Sequence, residues 1–304
     1  MNYEHIENLI GNGEYDVALA GANELLVQTD QDAEARYLQA CSLMLMDRDQ
    51  EALKSVNQLL QTAPKMIKGL RLAASVCIKN NLGTEAVRHM ETALTASNGN
   101  LPADFMVTLG DAYAQAQEFG RAVETYQVAL KQGLSGMPSG MAKMNAGMAL
   151  MNLGRFSEAN AFLSDGLKEM PEHPAASRLS ESRYLELFER AFSDQSPVAV
   201  ALLLQLKDAA KAAWDTNPGS ADAQALFLWL DELKPTSDSY QPSEMEKLLI
   251  SACADVAKSR RTYNPEQRNE LLKNAQAKTK SAAGVRGAGT LNVRLSFSIG
   301  RRLN

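Results

Sequence analysis

The chain has 304 residues, of which 45% are hydrophobic and only 6% are aromatic. Abundant Ala, Leu and Met with few aromatic residues favour helices, because strands prefer β-branched and aromatic side chains. No apolar run reaches the roughly 18 residues that a membrane-spanning helix needs, so we expect no membrane span. The formal net charge is −5.

That net charge is divided unevenly along the chain. From Lys258 onward there are 11 basic and 2 acidic residues, a net charge of +9. The first 257 residues carry 20 basic and 34 acidic residues, a net charge of −14. An acidic body with a basic tail is an arrangement that could steer partners or self-association.

Alanines recur at a fixed spacing in the first half of the chain. Ala18, Ala52 and Ala86 are 34 residues apart, each within a helix-like segment. Ala122 and Ala159 continue the series after steps of 36 and 37, which predicts small insertions in the connections. A repeat of this length is typical of stacked helical hairpins.

The repeat resembles the tetratricopeptide repeat family, whose unit follows W-x2-L-G-x2-Y, then A-x3-F and a closing proline. Leu109-Gly110-x2-Tyr113, followed by Ala122-x3-Tyr126, is similar to this pattern. The resemblance implies five units of two antiparallel helices, with small residues where the helices approach. We place the units at residues 1–32, 33–66, 67–100, 103–136 and 140–173.

Further helices are predicted after the repeats, at residues 175–193, 197–216, 220–233, 242–260 and 265–280. The predicted fold is therefore all-α: a right-handed α-solenoid of helix hairpins with a C-terminal strand tail. We divide the chain into five repeats at 1–174, a degenerate repeat with capping helices at 175–235, C-terminal helices at 236–282, and a basic flexible tail at 283–304.

The tail changes its hydrophobic period from 3.6 to 2, with apolar residues at Leu291, Val293, Leu295, Phe297 and Ile299. Such alternation predicts a β-strand at 290–300, and no other segment shows this pattern. A lone strand cannot satisfy its own backbone groups, so we expect it to add to a sheet edge of another protein or of a second copy. A disordered tail, or an extended segment on the chain's own helices, is the alternative.

Four methionines of the fifth repeat are spaced by 3, 4 and 3 residues: Met141, Met144, Met148 and Met151. This spacing places them on one stripe of the first helix. The resemblance implies that such positions line a concave groove, where methionines suit apolar anchors of a bound peptide. Core packing between repeats is the alternative for the same stripe.

Polar residues extend the predicted groove. Asn145 and Asn152 lie beside the methionines and are candidates to bond the backbone of an extended peptide. Lys68 and Arg71 of the third repeat are candidates to receive an acidic ligand, with a solvated surface as the alternative.

No pattern typical of an enzyme or a metal site is present. His5, His89 and His173 lie in different repeats, and neither CxxC nor HExxH occurs. We therefore predict a non-enzymatic chain without a cofactor. The basic stretch 258–280 could contact nucleic acid phosphates, so a nucleic-acid-associated factor is a further alternative. It has one aromatic residue, Tyr263, and no recognised reading head, so nucleic acid is not the expected partner.

The sequence thus predicts a protein-binding scaffold or adaptor that holds a partner segment in its groove and docks its tail on a partner or another copy. A subunit of a larger assembly fits this design, and a targeting or secretion-type chaperone that masks an apolar segment is the alternative. Three scattered cysteines favour free thiols, and the first residues lack a signal peptide pattern, so we expect a cytoplasmic location.

Overall fold

A computed structural model of the chain describes residues 2–174, 176–193, 197–235, 237–262 and 264–300, with side chains described up to residue 296. The all-α prediction is confirmed, since these residues form sixteen helices and one pair of two-residue strands. They divide into two compact units, Met1–Leu153 and Gly154–Asn304. The boundary between the two units lies inside the fifth predicted repeat, 140–173.

The first unit contains nine helices, which alternate as first and second members of successive pairs. They are α1 (Tyr3–Gly11), α2 (Tyr15–Gln28), α3 (Ala33–Leu45), α4 (Asp49–Thr62), α5 (Ile67–Lys79), α6 (Gly83–Ala96), α7 (Ala103–Gln115), α8 (Phe119–Lys131) and α9 (Gly136–Asn152). Each helix packs on the next one along the chain. The unit is therefore a sequential stack of helical hairpins, as the repeat predicts.

Small residues set the packing inside each hairpin. Ala18, Ala52, Ala86 and Ala122 are completely buried on the second helices. On the first helix α7, a Cβ atom added to Gly110 would lie 2.6 Å from the ring of Tyr126 on α8. The two helices therefore approach closely only because these positions lack large side chains.

A left-handed residue turns the chain after each first helix: Gly13, Asp47, Asn81, Gln117 and Gly154, with φ between 56° and 82°. Their spacing of 34, 34, 36 and 37 residues equals that of the alanines. Each of the first four turns is closed by a hydrogen bond that spans the left-handed residue, for example from the Arg48 amide to the Leu43 carbonyl at 2.9 Å. This C-cap geometry ends the first helix and starts the second at the same point of every repeat.

The second unit contains the remaining elements. They are α10 (Phe156–Glu169), α11 (Ala176–Phe192), β1 (Val198–Ala199), α12 (Val200–Thr216), α13 (Ala221–Glu232), β2 (Ser239–Tyr240), α14 (Glu244–Arg261), α15 (Pro265–Ser281) and α16 (Ala288–Gly300). Every helix predicted after residue 174 is present, with ends within three residues of the prediction. The antiparallel pairing of β1 with β2 was not predicted, because two residues are too few to show a period.

A buried polar network joins α11, α13 and α14. The Arg260 guanidinium donates to Glu181 Oε1 at 3.0 Å, to Ser220 Oγ at 2.7 Å and to the fully buried Asp222 carboxylate. The Tyr184 hydroxyl donates to the other oxygen of Asp222 at 3.3 Å. Because a buried charge is costly unless it is paired, this network fixes the three helices relative to each other.

The strand predicted at 290–300 is wrong, because residues 288–300 form the helix α16. Leu291 and Leu295 are buried, whereas Val293 is 56% exposed, so burial follows a helical period rather than alternation. The side chains of Phe297 and Ile299 lie outside the described residues. Leu291 and Leu295 are four residues apart, a spacing that fits the period of a strand as well as that of a helix. Packing of this segment on α13 and α15 favours the helix, in which the backbone N–H and C=O groups bond to each other. The predicted addition to the sheet edge of another molecule is therefore also wrong, because it required a strand.

Gly287 is the residue that lets α16 reach α13. Its φ is +94°, and an added Cβ would lie 2.2 Å from the Ala225 carbonyl oxygen. We expect Gly287→Ala to destabilise the second unit by about 2–4 kcal/mol, through left-handed strain and a backbone clash. Urea unfolding followed by tryptophan fluorescence measures this change, because both tryptophans, Trp214 and Trp229, lie in that unit.

Gly289→Ala is the matched control, since an added Cβ there meets no atom within 4 Å. This position is helical and exposed, so alanine should leave stability unchanged or raise it by up to about 1 kcal/mol. Equal effects of the two substitutions would show that α16 does not depend on its contact with Ala225.

Candidate functional site

The first helices of the first unit form a tightly packed row. Contacts join α1 to α3, α3 to α5, α5 to α7 and α7 to α9, whereas the second helices of the same pairs approach each other less closely. The row of first helices is therefore the inner side of the stack. We define the inner wall by the polar and part-exposed residues on this side: Glu34, Tyr37, Cys41, Lys68, Arg71, Asp104, Phe105, Asp111, Met141, Asn145 and Met148.

Two ion pairs cross the inner wall between neighbouring first helices. The Lys68 ammonium on α5 donates to the Glu34 carboxylate on α3 and lies 4.7 Å from the centroid of the Tyr37 ring. The Arg71 guanidinium donates to Asp104 on α7, and its Cζ lies 4.5 Å from the centroid of the Phe105 ring. Each cation thus combines a carboxylate with an aromatic face. Both cations therefore already have a carboxylate partner within the chain.

A third polar contact links α7 to α9. The Asn145 Nδ2 donates to Asp111 Oδ1 at 2.9 Å, and the same oxygen accepts from the Tyr126 hydroxyl at 2.6 Å. Burial raises the pKa of Asp111, while the hydrogen bonds from Tyr126 and Asn145 act to lower it. One N–H of the Asn145 amide, a predicted partner of a bound peptide, is therefore already donated to Asp111. Asn152 is likewise engaged, since its Nδ2 donates to the Met148 carbonyl at 2.9 Å.

The spacing of these partners explains why they meet. Glu34 and Lys68 are 34 residues apart, as are Asp111 and Asn145, and Arg71 and Asp104 are 33 apart. One repeat of the stack brings equivalent positions side by side. Glu34, Asp104 and Asp111 were not among the predicted site residues. Opposite charges or amides at the repeat distance are the sequence signal that identifies them.

The methionine stripe is divided between core and surface. Met144 and Met151 are buried, with 1% and 7% of their surface exposed, as the core alternative expects. Met141 is 40% exposed, and Met148 is half-buried. Two thioether side chains of the stripe are therefore at least partly exposed, and the other two pack inside.

Cys41 lies on α3, next to the Tyr37 hydroxyl. Burial raises the pKa of the Cys41 thiol to about 11, although Lys68 and Arg71 act to lower it. The thiol is therefore protonated at neutral pH and is a poor nucleophile. Cys77 and Cys253 are buried free thiols.

Several basic side chains of the stretch 258–280 form contacts within the second unit. Arg260 pairs with Glu181 and Asp222, and Lys278 donates to Asp255 at 2.5 Å. The Arg261 guanidinium lies 5.1 Å from the centroid of the Phe156 ring. These contacts give the stretch a structural role in the second unit.

The described segments contain no helix long and apolar enough to cross a membrane. Over those same segments, no group of three His, Cys, Asp or Glu side chains is arranged to hold a metal ion.

A family model of the tetratricopeptide repeat matches residues 78–138, from the end of α5 to the start of α9. This match contains the hairpin of Gly110 and Tyr126, and similar hairpins stack on either side of it. The chain contains tetratricopeptide repeats (TPRs). None of the curated protein sequences compared with this TPR chain matches it.

Solved structures agree with this fold. PilW, described as a type IV pilus biogenesis factor, aligns with 73% of the TPR chain and 90% of its own length at 16% identity and a TM-score of 0.52. YrrB, described as a TPR protein with an unusual peptide-binding site, aligns with 70% of the chain and 98% of its own length at 19% identity and a TM-score of 0.50. At such low identity, the similarity shows a shared fold.

The buried contact of Asp111 generates a stability prediction. Asp111→Ala leaves the Tyr126 hydroxyl and the Asn145 amide without their acceptor, which should cost about 1–3 kcal/mol. Asp111→Asn keeps an acceptor oxygen and should cost less. Circular dichroism during urea unfolding reports the loss, while tryptophan fluorescence of the second unit should stay unchanged. Equal losses in both variants would mean that the carboxylate charge, rather than the acceptor, is required.

The raised pKa of Asp111 determines how the stability difference between Asp111→Asn and the unchanged chain varies with pH. A raised pKa in the folded state gives stability that is present below the ordinary carboxyl pKa and is lost as the pH rises through the raised value. The stability of Asp111→Asn relative to the unchanged chain should therefore increase as the pH rises above the ordinary carboxyl pKa of about 4. The opposite slope would show that the hydrogen bonds outweigh burial.

Proposed function

We propose that this TPR chain is a non-enzymatic scaffold that binds an extended segment of a partner protein on its inner wall. The observation that carries the proposal is the part-exposed pair Met141 and Met148 on the same helix face as the buried Met144 and Met151. An exposed apolar side chain that packing holds in place loses little freedom on binding. Thioethers also adapt to guests of different shape.

The polar contacts of the inner wall support the same proposal. Glu34 with Lys68, Arg71 with Asp104 and Asp111 with Asn145 tie four first helices together across one surface. A surface braced in this way is organised before a guest arrives, so binding does not have to order it. The protonated Cys41 thiol on α3 is a poor nucleophile, in keeping with a binding role.

Participation in a larger assembly and a cytoplasmic location are further parts of this proposal. Docking through a C-terminal strand is not part of the proposal, because residues 288–300 form a helix. The chaperone alternative uses the same wall, since a segment masked by a chaperone would also present apolar side chains. Persistence of the complex separates the two, because a scaffold keeps its partner and a chaperone releases it.

Charges introduced at the part-exposed Met141 and Met148 should weaken binding. Peptides selected from a displayed library of random 12-residue sequences on the full chain provide ligands, and fluorescence polarisation gives their affinities. We expect Met141→Glu with Met148→Glu to weaken these affinities by about 10-fold or more, because a carboxylate would face the apolar anchor of the guest. Circular dichroism should show unchanged helicity, since neither side chain is fully buried.

Met245→Glu is the matched control. Met245 is 42% exposed on α14, close to the 40% of Met141, and it lies in the second unit. This variant should bind the selected peptides with unchanged affinity. If no peptide is selected, or if Met245→Glu weakens binding as much as the wall variant does, the inner wall is not the binding surface.

A further inference from the structure

Two segments of the chain carry side-chain charges of one sign only. Residues 1–35 contain eight Asp and Glu and no Lys or Arg, whereas residues 271–304 contain seven Lys and Arg and no Asp or Glu. The first segment builds the hairpin of α1 and α2 in the first unit, and the second includes α16 in the second unit. We infer that copies of the chain associate head to tail, with the α1–α2 hairpin of one copy docked on α15 and α16 of the next.

The first docking surface lies on α2. We define the α2 stripe as Val17, Ala20, Glu24 and Val27, whose spacing of 3, 4 and 3 residues places them on one side of the helix. Val17 is 46% exposed and Val27 is 88% exposed, so the packing of the first unit leaves both valines uncovered. Ala20 and Glu24 are also exposed. A row of exposed apolar side chains marks a surface that another protein can cover.

Several carboxylates of the α1–α2 hairpin have no cationic partner among the described residues. Glu4, Glu7 and Glu14 are exposed and form no ion pair there. The nearest arginines along the chain, Arg36 and Arg48, are each paired with another carboxylate. An uncompensated negative potential of this kind attracts a positively charged surface.

The second docking surface is formed by α15 and α16. We define the basic face as Lys273, Ala277, Lys280, Val293 and Ser296, all of which are exposed. The first three are spaced by 4 and 3 residues on α15 and the last two by 3 residues on α16, so each set lies on one side of its helix. Gln276 Nε2 donates to Ser296 Oγ at 2.9 Å, which brings the two exposed sides together. Val293, which is 56% exposed, gives the basic face an apolar point of contact.

The cations of the basic face have no carboxylate partner in the part of the chain that the structure describes. Lys273 and Lys280 form no ion pair there. Arg294, which follows Val293 on α16, donates to the Pro218 carbonyl, a neutral acceptor. These three side chains therefore retain a charge that a carboxylate of another molecule can compensate.

The acidic residues near the basic face leave it positive. Glu270 lies three residues before Lys273 on the same side of α15, and no ion pair joins the two. Asp255 on α14 is already paired with Lys278 at 2.5 Å. The three cations without a carboxylate partner therefore exceed the one unpaired carboxylate, that of Glu270, by two charges. Such a face is suited to an acidic partner surface.

A second copy of the chain supplies a surface that fits the basic face. The α2 stripe offers valines within a hairpin of negative charge, and the basic face offers a valine among cations. Contact covers the apolar side chains and surrounds them with ion pairs, the usual arrangement of a protein interface. Complementary charges also speed the encounter and select its orientation. Because the two surfaces differ, each copy can dock through both, and association gives an open chain or a closed ring.

Two variants that each remove one surface test the inference. Val17→Lys with Val27→Lys, the stripe variant, places cations on the α2 stripe, and Lys273→Glu with Lys280→Glu, the face variant, reverses the charge of the basic face. In about 50 mM NaCl, sedimentation velocity of the unchanged chain should show an average mass that rises above 33.1 kDa between about 10 µM and about 300 µM protein. Each variant alone should remain monomeric, because like charges then meet at the contact.

Mixing the two variants is the decisive measurement. The stripe variant keeps an intact basic face and the face variant keeps an intact α2 stripe, so an equimolar mixture should form dimers and no larger species. Raising NaCl to about 500 mM shortens the screening length to about 4 Å and should dissociate the dimers. Circular dichroism of both variants should equal that of the unchanged chain, because all four substituted side chains are exposed.

Matched substitutions elsewhere make the same charge changes and leave both surfaces intact. Leu45→Lys with Val128→Lys adds two cations to the first unit, at side chains that are each 42% exposed. Lys168→Glu with Lys234→Glu reverses two charges in the second unit, at exposed positions outside the basic face. Both controls should associate as the unchanged chain does, within about 2-fold.

The outcomes that would overturn the inference are distinct. They are an unchanged chain that stays monomeric over this concentration range, and a mixture of the two variants that forms no dimer. Variants that still associate alone, or controls that associate as weakly as the variants, would place the contact on other surfaces. Association that nuclease treatment abolishes would show that nucleic acid bridges the basic faces. None of these results affects the proposed function, since neither surface contains Met141 or Met148.

Discussion

The close approach of two helices inside each hairpin is the constraint on which the rest of the first unit depends. At α7 and α8 it requires a residue without a side chain, because Gly110 faces the ring of Tyr126. In the two preceding first helices, the fully buried Ala40 and Ala74 occupy the same position in the repeat. A hairpin closed in this way still has an apolar face to bury, and the next hairpin covers it. Stacking is thus a consequence of small residues at a regular spacing.

Stacking in turn converts sequence distance into spatial contact. Residues one repeat apart become neighbours, so the partner of a polar side chain is found about 34 positions along the chain. Glu34 with Lys68 and Gln115 with Asn81 both obey this relation, at a separation of 34. The polarity of the inner wall is therefore determined by pairs of residues in adjacent repeats rather than by any single helix.

The helices were predictable because local signals mark both their faces and their ends. Recurrent alanines give the period, and signals such as Asn264 followed by Pro265 begin a helix at the expected residue. The tail was not predictable in this way, since Leu291 and Leu295 satisfy both a strand and a helix, and only packing on α13 and α15 decides between them. Met144 is buried and Met141 is exposed because of the positions of neighbouring helices. The residue pattern of one helix does not predict those positions. The ion pairs of the inner wall, by contrast, could have been predicted from the spacing of about one repeat between their partners.

Buried and exposed polar contacts have different roles in the structure, and their contributions to stability differ in magnitude. Removing one partner of a buried pair such as Arg260 with Asp222 costs about 3–5 kcal/mol, because a charge is left without compensation. An exposed pair such as Lys68 with Glu34 contributes about 0–1 kcal/mol. The first kind cannot exchange partners without loss of structure, so it fixes architecture. The second kind can exchange partners at a small loss of stability. A surface that binds partners should therefore carry exposed, loosely held pairs on a rigid frame, and within the described residues the inner wall has both.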